Sequence, residues 1–158
     1  NSVILIIIIS EVIMNKVYLS GEIHSEWRNK IINLSNQSKL NIEFLTPELD
    51  HDTSDLIGSR ILGDEESSFW TDRKSALINS IKIQSGIKNS NLIIVKFGEK
   101  YKQWNASFDA GFAAALGIPI ILIAPSEFNH PLKEIMAASK AVCRTEEEAI
   151  EILKYTFQ

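Results

Sequence analysis

The chain has 158 residues, of which 45 % are hydrophobic and 23 % charged, with 16 Lys+Arg against 20 Asp+Glu. That length and balance describe one globular domain able to bury its own core, and a net charge of −4 argues against a nucleic-acid polymer as partner, which needs a basic field. One cysteine, Cys143, excludes an internal disulfide framework and points to a reducing, cytoplasmic setting.

The opening NSVILIIIISEVI carries an unbroken apolar run at 3–9. It is shorter than the ~20 residues a bilayer span needs, and it lacks a basic start and a cleavage site. Residues 1–13 read as an extension from the start site or expression vector, either disordered or buried as an added edge strand or subunit contact. The working domain is expected at 14–158, with no membrane association.

From Met14 onward, short apolar runs alternate with helical patterns. Residues 17–20 form a strand closed by Gly21. Trp27, Ile31 and Leu34 set one apolar face on a helix over 26–38. A second strand covers 41–46, bounded by Pro47. Residues 47–72 are long for a strand-to-helix connection, which usually takes ~2–6 residues. They are rich in acids and hold His51, Arg60, Phe69 and Trp70, so they read as an acidic lid or a solvated insertion with one short helix at 57–62. The helix expected at 73–88 is apolar on more than one face, Ala76, Ile83 and Ile87 on one, Leu77, Ile78 and Ile81 on another. So broad a surface calls for cover from another subunit. Residues 92–97 form a central parallel strand, and 105–116 an Ala-rich helix stopped by Gly117. A strand at 119–124, a short helix at 131–139 and a fifth strand at 141–143 follow. Thr145 opens the last helix, with Glu148 at capping-box spacing.

Five strand–helix units imply an α/β protein, a three-layer α/β/α sandwich on a flavodoxin-like five-stranded parallel sheet. In such sheets ligands bind beyond the carboxyl ends of the strands, where strand order reverses. That rule selects 20–24, 47–52, 98–105 and 125–130. The first segment supplies Ser20, Gly21, Glu22 and His24, where a glycine lets a ligand approach the backbone and a helix start can face an anion. The second supplies Asp50 and His51. The third runs through Tyr101, Gln103, Trp104 and Asn105 to Asp109. With Asn105 or Ser107 as helix cap, Asp109 falls in or just after the first turn, where the helix dipole favours an ionised carboxylate. Such a carboxylate can attack an anomeric carbon or hold sugar hydroxyls, or it can do no more than stabilise the helix start.

YLSGEIHSEW, LDHDTSDLIGSRILGDE, FGEKYKQWNASFDAGFAAALGIPIILI and NHPLKEI together resemble the YtoQ family, within the nucleoside 2-deoxyribosyltransferase-like proteins. The resemblance implies a flavodoxin-like homo-oligomer acting on a small-molecule nucleoside or nucleotide, with no cofactor. Transferases of that group exchange the base of a 2′-deoxynucleoside through a covalent sugar–carboxylate intermediate, and relatives hydrolyse deoxynucleoside monophosphates. Their nucleophile is a Glu in E-x-G-x-A. Here Asp109-Ala110-Gly111-Phe112-Ala113 stands in that place, one methylene shorter, and Gln103 stands where the transferases carry a sugar-holding Asp. YLSGEIH is similar to the first glycine loop, which surrounds the sugar or its phosphate.

Three readings follow. In the first, an enzyme of the N-glycosyl transferase or hydrolase type uses Asp109 as nucleophile. Glu22, or one of Asp50, Asp52 and Asp72, protonates the leaving base, and Tyr101 or Trp104 closes the pocket. In the second, the same fold binds a nucleotide without turnover. In the third, His24, Asp50, His51, Asp52 and His130 hold a hydrolytic metal, although no ligand spacing supports it and no metal site is expected. Lys74, Lys100, Lys102 and Arg73 are the cations available to a phosphate.

Overall fold

The computed structural model describes residues 14–99 and 103–158. The expectations for residues 1–13, for Tyr101, and for Lys100 and Lys102 as cations available to a phosphate lie outside the described residues.

The elements are β1 (Asn15–Gly21), α1 (Trp27–Gln37), β2 (Ile42–Leu45), α2 (His51–Leu62) and α3 (Ser68–Lys88). Then come β3 (Leu92–Lys96), α4 (Trp104–Ala115), β4 (Ile120–Ile123), α5 (Lys133–Ala138), β5 (Ala141–Cys143) and α6 (Glu146–Phe157). A short 3₁₀ turn at Ser126–Phe128 lies between β4 and α5. The sheet order is β2-β1-β3-β4-β5, with every pairing parallel. This is the expected α/β architecture, and its order reverses between β1 and β3.

Period-two alternation splits the strands into two cores. Val17, Leu19, Ile94 and Ile121 meet Trp27 and Ile31 of α1 and Ile150 and Leu153 of α6. Tyr18, Ile93, Val95 and Leu122 face the other way, toward Ile87 of α3 and Ala106, Ala110 and Ala113 of α4. Because these strands are covered on both faces, they read as continuous apolar runs. Cys143 sits in the first core, only 3 % exposed, and burial foremost, with the Glu148 charge adding to it, pushes its thiol up to about 11.

The acidic lid expected at 47–72 is instead a helical hairpin. α2 spans twelve residues and α3 already begins at Ser68. Asp50 caps α2 by accepting from the Thr53 amide at 2.8 Å. The seam between α2 and α3 is small and polar. The Ser75 hydroxyl donates to the Asp55 carbonyl at 2.6 Å and accepts from the Gly58 amide at 3.1 Å, and the Asn79 amide reaches the Ser54 carbonyl at 2.9 Å. The short helix expected at 57–62 and the helix expected at 73–88 fall within α2 and α3, and both observed helices begin earlier, at His51 and Ser68. No helix among the described residues is long and apolar enough to cross a membrane.

Candidate active site

The turn after β1 is built around Gly21. Its φ is +118°, and a Cβ there would lie 2.0 Å from the Lys96 carbonyl oxygen, so only glycine fits. The Glu22 amide then donates to the same carbonyl at 3.0 Å, carrying the β1–β3 ladder one residue past the strand.

Arg28 of α1 fixes the turn from below. Its buried guanidinium donates to the carbonyls of Glu22 (2.5 Å), Gly21 (3.1 Å) and Leu19 (3.4 Å), and it lies 4.6 Å from the Trp27 ring centroid. Trp27 adds an indole N–H to the Glu22 carbonyl at 2.6 Å. Burial lowers the Arg28 pKa to about 10, while the Glu22 carboxylate opposes that shift, so the group stays charged at neutral pH.

The turn presents Glu22, 4 % exposed, whose carboxylate accepts from the His24 amide and the Ser25 hydroxyl. The His24 ring stacks on His51 at 5.6 Å between centroids, joining this turn to the start of α2.

Asp109 lies deeper in its helix than the sequence implied. Gln103 occupies the cap position without a side-chain cap bond, and Asn105 and Ser107 are helical residues. Asp109 therefore falls in the second turn, beyond the reach of the helix terminus. It is 7 % exposed, and burial raises its carboxyl pKa above the usual aspartate value. The dipole-stabilised carboxylate expected from sequence is thus corrected: desolvation dominates. The Ser20 hydroxyl partly offsets it by donating to Oδ2 at 2.6 Å. The other carboxylate oxygen accepts no hydrogen bond among the described residues.

A cleft of about 340 Å³ gathers most of the expected residues. Ser20, Gly21, Glu22 and His24 come from the β1 turn and His51 from α2. Gln103, Trp104, Asn105 and Asp109 come from the start of α4. The sequence did not single out Glu48 and Asp55, which share this cleft because α2 is a helix and not a lid. Arg28 was missed as well, since nothing in an amphipathic helix marks one cation as buried. Asp50 is spent on capping α2. Asp72 lines a neighbouring hollow of about 370 Å³ between α3 and α4, which also reaches Asp109.

A third hollow of about 350 Å³ lies across Glu22, beside Lys96 and Arg144. Lys96 is ion-paired with Glu146, and Arg144 donates to the Ala124 carbonyl at 2.8 Å and the Asn129 side chain at 2.9 Å. Lys74 is tied to Glu65 and to the Gly63 carbonyl. Among the described residues no group of three or more His, Cys, Asp and Glu is placed to hold a metal ion.

With this geometry in view, the chain can be set beside known proteins. It is 41 % identical over 142 residues to the uncharacterized protein YtoQ of Bacillus subtilis (strain 168), covering 90 % of this chain and 96 % of that protein. A conserved protein from Enterococcus faecalis V583 shares the fold with a TM-score of 0.57 at 14 % identity, covering 90 % of this chain and 99 % of that one. A 2-deoxyribosyltransferase from Bacillus psychrosaccharolyticus superposes with a TM-score of 0.52 at 17 % identity, over 85 % of this chain and 89 % of the other. The CMP N-glycosidase BcmB of Clostridium botulinum gives 0.51 at 17 %, over 89 % and 99 %. At these identities the three structures establish the fold alone. The family pattern described as Nucleoside 2-deoxyribosyltransferase YtoQ matches residues 18–157, and the chain belongs to that family.

Proposed function

We propose that the protein cleaves or exchanges the N-glycosidic bond of a nucleoside, with Asp109 as nucleophile. The observation that carries this reading is the Asp109 carboxyl itself. It is buried where the cleft meets the hollow, with one oxygen held by Ser20 and the other accepting no hydrogen bond among the described residues. That second oxygen attacks the anomeric carbon of the sugar as the carbon–nitrogen bond breaks. The electron pair of that bond leaves with the base, which takes up a proton. A second base, or water, then displaces the carboxylate and restores Asp109.

Glu22 faces the same cleft. Its oxygens already accept from the turn's own N–H and O–H groups, which suits it to shape the sugar end and leaves the base to take its proton from water in the open cleft. The described lining includes four carboxylates, Glu22, Glu48, Asp55 and Asp109. That field favours an uncharged 5′ end over a phosphate. The kinds of activity named for two proteins of the same fold, deoxyribosyl transfer and N-glycoside hydrolysis, are consistent with this chemistry. The working protein is a cytoplasmic homo-oligomer, its subunits meeting through the apolar face of α3.

Incubation with mixed deoxynucleosides and free bases, read by chromatography, tests the proposal. New nucleosides identify a transferase, and free base alone a hydrolase. Unchanged nucleosides and nucleotides would overturn the enzymatic reading, and an Asp109→Asn variant with full activity would overturn the nucleophile. One observation favours a second reading, a binding module without turnover: burial biases Asp109 toward the neutral form, which donates a hydrogen bond instead of attacking. A thermal shift with nucleosides and no product would mark it.

A further inference from the structure

The hollow between α3 and α4 shares Asp109 and Asn105 with the sheet-edge cleft. One ligand can therefore straddle both, with its reacting carbon over Asp109. Two carboxamide residues line the hollow, Gln84 from α3 and Asn105 from α4. Neither is hydrogen-bonded to a described group, whereas their neighbour Asn79 is tied to Ser54. A carboxamide sets an N–H donor beside a C=O acceptor, the complement of a heterocycle edge with an amine next to a ring nitrogen. Phe108, 68 % exposed at the rim, offers a ring face for stacking, and Ile83 and Ala76 supply apolar surface. Asp55 and Asp72 complete the wall with carboxylates, which accept from an exocyclic amine and repel a carbonyl oxygen. The third hollow lacks this inventory, and its cations are already engaged.

We infer that the α3–α4 hollow is a nucleobase subsite, read by Gln84 and Asn105 and selective for amino-substituted bases, adenine and cytosine, over keto bases. This rests on the N-glycosyl reading for its sugar end, but the subsite is testable without turnover. Free adenine, cytosine, hypoxanthine and uracil are titrated calorimetrically into the wild type and into the Gln84→Leu, Gln84→Glu, Asn105→Ala and His24→Ala variants, each checked for an unchanged melting temperature.

Adenine and cytosine are expected to bind more tightly than hypoxanthine and uracil. Gln84→Leu should weaken adenine by roughly 5- to 100-fold, while His24→Ala keeps it. Adenine affinity untouched by both Gln84 variants and by Asn105→Ala would overturn the subsite, as would tighter binding of hypoxanthine or no binding of any base. Nucleoside turnover with KM insensitive to Gln84→Leu would remove the subsite and leave the glycosyl reading standing. Gln84-dependent adenine binding without turnover of any nucleoside would do the reverse.

Discussion

Asp109 shows how far one buried carboxyl can be read. As nucleophile it must be ionised, so kcat/KM should rise with pH through its folded-state pKa, which burial places above the usual aspartate value. Ser20 holds that pKa down, so Ser20→Ala should move the acid limb of the pH–rate profile to higher pH. The stability sign follows from the same shift. The folded state binds this proton more tightly than the unfolded one, a contribution fully present below the unfolded pKa and lost as pH rises through the folded pKa. Asp109→Asn should therefore raise the melting temperature at pH 7 while lowering turnover by roughly 10³-fold or more. Arg28→Lys keeps a charge but not the fork that holds three carbonyls, and urea unfolding should show a loss of about 3 kcal/mol. Ser20, Gly21, Glu22 and Asp109 were legible because strand ends and a following helix locate them. Arg28 and the depth of Asp109 were not, since burial is set by tertiary packing and by a helix that starts at Trp104.

At the scale of elements, the sheet was transparent and the hairpin only in part, its two helices foreseen but not their starts or their docking. Strands β1, β3 and β4 bury both faces, so their apolar runs announce them. α2 docks on α3 through Ser54, Gly58, Ser75 and Asn79, a seam in which close approach replaces apolar area. A Cβ at Gly58 would lie 2.7 Å from the Ser75 amide nitrogen and 2.9 Å from the Lys74 carbonyl carbon, both backbone atoms. Gly58→Ala should push the two helices apart at a cost of about 2 kcal/mol. Amide exchange should show protection falling along α2 while β1 and β3 keep theirs. Because α2 carries His51 and Asp55 into the cleft, the same variant should raise KM more than it lowers kcat.

At the scale of the whole molecule, the alternation of strands and helices sufficed for the β2-β1-β3-β4-β5 order and for the edge on which the cleft opens. The proposed assembly rests on surplus apolar surface on α3. Leu77 and Ile81, 56 % and 70 % exposed, lie one turn apart on that helix. Soluble chains seldom leave such a stripe bare. Sedimentation should find the wild type as a dimer or larger species, and Leu77→Glu with Ile81→Glu should return it to monomer with the fold retained. A wild type that sediments as monomer at every concentration would remove the assembly. Cys143 has a practical consequence. The chain's sole thiol is walled into the core with its pKa near the top of the thiol range, about 11, so thiol-reactive dyes should pass it by. A cysteine introduced at an exposed position such as Phe69 would then take a fluorophore alone, making the native background silent for single-molecule fluorescence.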